Sequence, residues 1–213
     1  MSVHLSPEEI EAESFRIIDA EMGPHPWSPA EWPVVRRVIH TSADFDYARS
    51  MLFSADALAR GIGALRQGRG IVTDTTMALS GIAKPRLAAF GLNAACFVAD
   101  PEVARGARAQ GITRSILAMR KGAVDRANGI FVIGNAPTAL FELLRLVREE
   151  GVRPDLVVAL PVGFVGAAES KERLVHEGEE LGIPFITNRG RKGGSNVAAA
   201  VVNALLIMAG ERF

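Results

Sequence analysis

The sequence predicts an α/β protein: a single domain with a mostly parallel sheet of about five strands, helices on both faces, and a helical amino-terminal segment. Three observations lead there. From residue 70 onward, short apolar runs alternate with helical patterns, without an internal repeat or a linker. Three of these units read strand, then a glycine-punctuated turn, then helix: 130–140 (IFVIGNAPTAL), 156–174 (LVVALPVGFVGAAESKERL) and 185–200 (FITNRGRKGGSNVAAA). The composition, 48% hydrophobic and 23% charged over 213 residues, is that of an ordinary globular chain.

In chain order, Ser6-Pro7-Glu8-Glu9 is a capping box with proline at the first helical position, so a helix is expected from about Pro7 to Glu21. Ser14 falls inside it, where a back-bonded or solvated serine is the plain reading. A second start signal, Ser28-Pro29-Ala30-Glu31, precedes a helix whose regular part Pro33 delays by a turn and whose buried side is Val34, Val35, Val38 and Ile39. His40 ends that face. A helix carboxyl end favours the imidazolium form, which suits a proton donor, although taken alone a histidine here is more often a capping or surface group. The other histidines, His4, His25 and His176, sit in a tail, a proline-flanked loop and a charged helix.

Residues 54–67 read as a helix ending at Gly68, and Gly70-Ile71-Val72-Thr73 as the first buried strand. Asp74, at that strand's end, reads first as an N-cap for the following turn and second as a catalytic group. Residues 96–99 read as the second strand, with Cys96 packed inside it, and Asp100-Pro101 as the cap of the next helix. A helix opening at Gly111-Ile112-Thr113-Arg114-Ser115 and running to about Arg126 carries a cation in its first turn, against the dipole; a nearby anion would resolve that conflict, and a solvated side chain is the alternative. The last helix, about 196–208, is almost wholly apolar and is expected to be buried or in a subunit contact.

Lys+Arg and Asp+Glu both total 24, so no global basic field argues for nucleic acid. The single cysteine excludes an internal disulfide and a cysteine metal cluster. No apolar run has transmembrane length and the amino terminus shows no secretory pattern, so a cytoplasmic protein with no membrane partner is expected. Gly-x-Gly-x-x-Gly, the phosphate-loop order, Gly-x-Ser-x-Gly and metal-ligand spacings are all absent. The expectation is a pocket for an anion with several negative arms. Three helix amino ends at the carboxyl edge of a parallel sheet, with Arg189, Arg191 and Lys192 beside them, would form it. Ser170 and Lys171, just inside a helix start, could assist, with solvated helix surface the plainer reading of Lys171.

GNAPTALFELL, LPVGFVGAAESKERL and NRGRKGGS, in this order and spacing, resemble the precorrin-8X methylmutase family of cobalamin biosynthesis, and RRVIHTSADFDYA resembles that family's histidine motif. The likeness runs through essentially the whole chain. It implies an isomerase that moves a methyl group from C-11 to C-12 of precorrin-8X or cobalt-precorrin-8, giving hydrogenobyrinate or cobyrinate, with no cofactor and no bound metal of its own. It implies His40 as general acid, with Ser14 and Arg114-Ser115 near the substrate. The turns Gly134-Asn135-Ala136, Gly163-Phe164-Val165-Gly166-Ala167 and Arg191 with Gly193-Gly194-Ser195 would hold the macrocycle's carboxylates through backbone N–H groups. It also implies a homodimer with its active site near the interface, and hand-over of tetrapyrrole to neighbouring pathway enzymes. HTSADFDY is closer to the cobalt-using branch. Two alternatives stand beside it: a non-catalytic tetrapyrrole carrier, and a nucleotide- or S-adenosylmethionine-using transferase.

Overall fold

The structure, a computed structural model, describes residues 6–210. Helix α1 (Pro7–Met22) starts at the expected capping box: the Ser6 hydroxyl accepts from the Glu9 N–H at 3.2 Å and the Glu9 carboxylate from the Ser6 N–H at 2.7 Å. The same reciprocal pair forms between Ser28 and Glu31, but it closes a turn ahead of α2 (Trp32–Ser42), with Pro33 in the helix's first turn. A short helix, α3 (Tyr47–Ser50), leads into β1 (Met51–Phe53), followed by α4 (Ala57–Arg66) and β2 (Gly70–Thr73). Two short helices, α5 (Thr76–Gly81) and α6 (Lys84–Ala89), precede β3 (Ala94–Ala95), which lies just before the expected 96–99. Cys96 is outside the strand and only half-buried, because β3 pairs at the sheet edge through Ala94 and Ala95 alone. Then come α7 (Pro101–Gln110), α8 (Arg114–Val124), β4 (Asn128–Ile133), α9 (Pro137–Glu150), β5 (Leu156–Ala159), α10 (Ala167–Gly178), β6 (Phe185–Asn188) and α11 (Ser195–Gly210).

The six strands form one sheet in the order β1-β6-β5-β4-β2-β3. Strands β2 to β6 are parallel, as expected; β1 is an added antiparallel edge, pairing Met51 with Asn188. β5 is buried on both faces, which explains its unbroken apolar run. On one face α11 is buried along nearly its whole length, beneath α2, α4 and α5. The apolar last helix is therefore an internal core element of this chain. On the other face α8, α9 and α10 cover β4 and β5 through Met119, Leu140, Leu143 and Leu174. Each covering helix of the βα units runs back against the strands, so the amino ends of α8, α9, α10 and α11 gather at the sheet's carboxyl edge.

Candidate active site

At that edge the glycines of three turns let backbones touch. A Cβ on Gly134 would meet Ser195 Cα, and one on Gly193 would strike the carbonyl oxygens of Leu160 and Pro161. The Gly194 N–H donates to Leu160 O at 2.9 Å, and the Gly163 N–H to Arg191 O at 3.2 Å. Gly134, Gly163, Gly193, Gly194 and Ser195 therefore belong to one contiguous surface, in which the β4–α9, β5–α10 and β6–α11 turns interlock.

The β4–α9 turn departs from expectation. Asp74, 1% exposed, fills it: Oδ1 accepts from the Gly134 N–H at 2.9 Å, and Oδ2 from those of Asn135 and Ala136 at 2.9 and 2.7 Å. These three amides were expected to hold a substrate carboxylate, and the protein's own carboxylate already holds them. Asp74 is no N-cap either; Thr75 caps α5, accepting from the Ala78 N–H. Burial pushes the Asp74 carboxyl above the usual range, while its three N–H donors favour the ionised form. Thr75 and Ser195 close the seam with a 2.7 Å hydroxyl contact.

The β5–α10 turn is open. Gly163 (φ 140°) and Gly166 (φ 81°) adopt backbone conformations that disfavour a side chain, and among the described residues no side chain caps α10. Phe164 and Val165 between them are 83% and 90% exposed. Among the described residues, the N–H groups of Phe164 through Ala167 have no acceptor, so the positive end of α10 faces outward. Arg191 arches over Phe164, its guanidinium carbon 5.6 Å from the ring centre.

The β6–α11 loop is clamped from two sides. Lys192 pairs with Asp44 and Asp46 at 2.5 and 2.7 Å, and the Tyr47 hydroxyl stands 3.5 Å from Gly193 O. Those ion pairs hold the Asp44 carboxyl below the usual carboxylate range and Lys192 above that of an ordinary lysine. From beneath, Lys171 donates to Lys192 O at 2.7 Å and to Asn188 Oδ1 at 3.1 Å. Lys171 is 1% exposed, not solvated helix surface: the first turns of α10 lie flat on β6, and its stem has nowhere else to go. Ser170 is likewise buried, its hydroxyl spent on Ala167 O.

His40 lies in the last turn of α2, one turn ahead of the Asp44–Tyr47 segment that grips the β6–α11 loop. It is half-buried, edge-on to Phe15 with ring centres 5.2 Å apart. Its ring nitrogens have no hydrogen-bond partner among the described residues. Ser14 is the neighbour of that Phe15 on α1 and donates to Ile10 O at 2.8 Å, the back-bonded arrangement. Arg114 and Ser115 open α8, tied to the α9 amino end by a 3.1 Å contact between Thr113 and Thr138 hydroxyls. Arg114 is exposed and makes no ion pair among the described residues. His25 stacks on Trp32, away from this edge, and His4 lies outside the described residues.

A cleft of about 420 Å³ at the opposite edge of the sheet is also arginine-lined, but Arg69 and Arg120 there pair with Asp155 and Glu142, and Arg153 donates to backbone carbonyls. Much of its charge is tied to the fold, although Arg126 there makes no ion pair among the described residues. The carboxyl edge differs: helix amino ends, Arg114 and Arg191 face outward without carboxylate partners, and an unbonded imidazole stands at the side.

Fold and edge together define an α/β protein with an open carboxyl edge lined by helix amino ends and two outward-facing arginines. The profile of the precorrin-8X methylmutase family matches residues 9–208. Over 206 residues the chain is 52% identical to a cobalt-precorrin-8 methylmutase of Salmonella typhimurium, covering 94% of each. Over 205 residues it is 48% identical to one of Priestia megaterium, covering 96% of this chain and 89% of that protein. A crystal structure of a Thermus thermophilus precorrin-8x methyl mutase superposes with a TM-score of 0.85 at 42% identity, over 95% of this chain and 96% of the other. The chain belongs to the precorrin-8X methylmutase family, isomerases of cobalamin biosynthesis.

Proposed function

We propose that this chain moves a methyl group from C-11 to C-12 of a precorrin-8-type macrocycle, and that its substrate is the cobalt-containing form. The observation that carries the reading is the open β5–α10 turn beside Arg191 and Arg114, an anion site left empty by the fold in a member of this family. Two of its relatives in the curated comparison, from Salmonella typhimurium and Priestia megaterium, carry cobalt in their names.

The shift breaks the C-11–methyl bond and forms the C-12–methyl bond within one molecule, formally a suprafacial 1,5-sigmatropic rearrangement. Two tasks remain for the protein. One is to fix the flexible ring by its acetate and propionate arms in a reactive conformation, through Arg114, Arg191 and the amides of Phe164–Gly166, Gly193 and Ser195; those expected of Gly163 and Gly194 are already donated to Arg191 O and Leu160 O. The Gly134–Ala136 turn contributes shape rather than donors. The other is to lend a proton to a ring C nitrogen as electrons redistribute, which is assigned to His40 at the helix end, with Ser14 on the adjoining helix lining the same side. A single general acid contributes on the order of 10²–10⁴-fold, so positioning carries comparable weight.

The enzyme works as a cytoplasmic homodimer and passes its product to a neighbouring pathway enzyme. Exposed Met77, Phe164 and Val165 around the edge support a covering partner, and among the described residues no helix is long and apolar enough to cross a membrane. Incubating the protein with cobalt-precorrin-8 or precorrin-8X and following the absorption change of rearrangement tests the reading. Turnover of the cobalt form at the higher rate is expected; tight binding of both without rearrangement would leave a carrier instead.

A further inference from the structure

Lys171 clamps the β6–α11 loop from beneath and has no part in the reaction described so far. Its ammonium is enclosed, and among the described residues no carboxylate touches it: Asn188 Oδ1 and Lys192 O are its acceptors. A buried cation without a counter-ion is costly, and it is retained here directly under the loop that carries Arg191 and the Gly193–Ser195 amides. The surrounding charges are spent elsewhere. Lys192, Asp44 and Asp46 engage one another, and Tyr47 leans on Gly193. On α9, which packs against α10, Glu142 pairs with Arg145 and Arg148 with Glu177.

We propose that Lys171 is an electrostatic positioning residue of the substrate site: a buried ammonium whose missing counter-ion is a carboxylate arm of the bound macrocycle, held above it by the amides of the β5–α10 and β6–α11 turns. This rests on the reading of that edge as the macrocycle site. The ammonium acts through the loop, not by contact, since no part of it reaches the surface.

A thermodynamic signature separates this from a merely structural role. Burial lowers the Lys171 ammonium to about 8, with no charged neighbour contributing. Losing the proton removes the charge but leaves two N–H groups, enough for Asn188 and Lys192 O, so the loop stays in place while its anchor is discharged. A bound carboxylate must then pull the proton back. If the charge is worth about tenfold in affinity, binding raises the midpoint by about one unit, and about half a proton is taken up per site near pH 8.5.

The test is calorimetric titration of the full chain with cobyrinic acid, a stable polycarboxylate corrin, at pH 7 and pH 8.5 in buffers of differing ionisation enthalpy. Wild type should take up about half a proton per site at pH 8.5 and bind severalfold more weakly than at pH 7. Lys171→Met should show no uptake and bind about tenfold more weakly at pH 7; Lys171→Gln, which keeps a donor for the loop, should behave the same way and serves if the methionine variant does not fold. Wild-type binding at pH 8.5 without uptake, or uptake unchanged in both variants, would overturn the assignment. If wild type binds the corrin at neither pH, the macrocycle reading itself falls, and this inference with it.

Discussion

The β4–α9 and β5–α10 turns are built alike and finished differently. Each follows a buried strand, contains glycine and opens a helix whose amino end points to the same edge. In the first, Asp74 reaches across from β2 and takes all three amides; in the second, among the described residues, no side chain does so. The closed turn has the energetics of a core and the open one those of a binding site. A helix amino end is an anion site only if the fold has not already supplied the anion.

The largest expected effect is at the closed turn. Asp74→Ala leaves three N–H groups without acceptors, and charge-assisted bonds to buried groups are worth about 1.5–3 kcal/mol each before compensation. Urea denaturation should show a loss of about 3 kcal/mol or more, with Asp74→Asn intermediate. A loss below about 1 kcal/mol for Asp74→Ala would erase the distinction between the turns. Gly193→Ala comes next, because its methyl would collide with the Leu160 and Pro161 carbonyls that lock the turns together. A stability loss of about 1–3 kcal/mol is expected, with weaker corrin binding, since relief requires moving the β6–α11 loop.

The open side should respond the other way round. Arg114→Ala should change the unfolding midpoint by no more than about 0.5 kcal/mol while weakening corrin affinity about 10-fold or more. A stability cost without an affinity cost would assign Arg114 to the fold. Lys171 adds a pH dependence. The folded-state pKa of Lys171, about 8, lies below its unfolded value of about 10.5, so the unfolded chain binds more protons between the two. Wild-type stability relative to Lys171→Met should therefore rise as pH is raised through that window and be lost as pH falls through 8. Paired denaturation curves at pH 7 and pH 10 measure the change.

Much of this was legible in the residues. β5, with its unbroken apolar run, and α1, with its capping box, stand where pattern and cap chemistry put them. β1 was not: Met51–Phe53 is too short to show a period, and its pairing with β6 depends on a partner more than 130 residues away, Met51 against Asn188. The second strand lies slightly ahead of 96–99, which has the better β composition, because the edge of β2 accommodates the small Ala94 and Ala95. The three turns were foreseen at one edge. What escaped was their occupancy: Asp74 beside Thr75 and Thr76 looks like a local cap, and only the sheet order, which sets β2 next to β4, turns its carboxylate toward Gly134. Lys171 misled similarly, since a lysine between Ser170 and Glu172 carries the signature of a wet helix face, and only packing on β6 encloses it.

Grip and chemistry are divided between the carboxyl edge and a separate proton donor, His40. Single-turnover rearrangement by His40→Ala, with cobyrinic acid affinity measured on the same preparation, tests that division directly. A rate lower by about 10²–10⁴-fold with affinity within about threefold of wild type is the predicted result. A rate within a few-fold of wild type at unchanged affinity would contradict it and remove the imidazole from the chemistry.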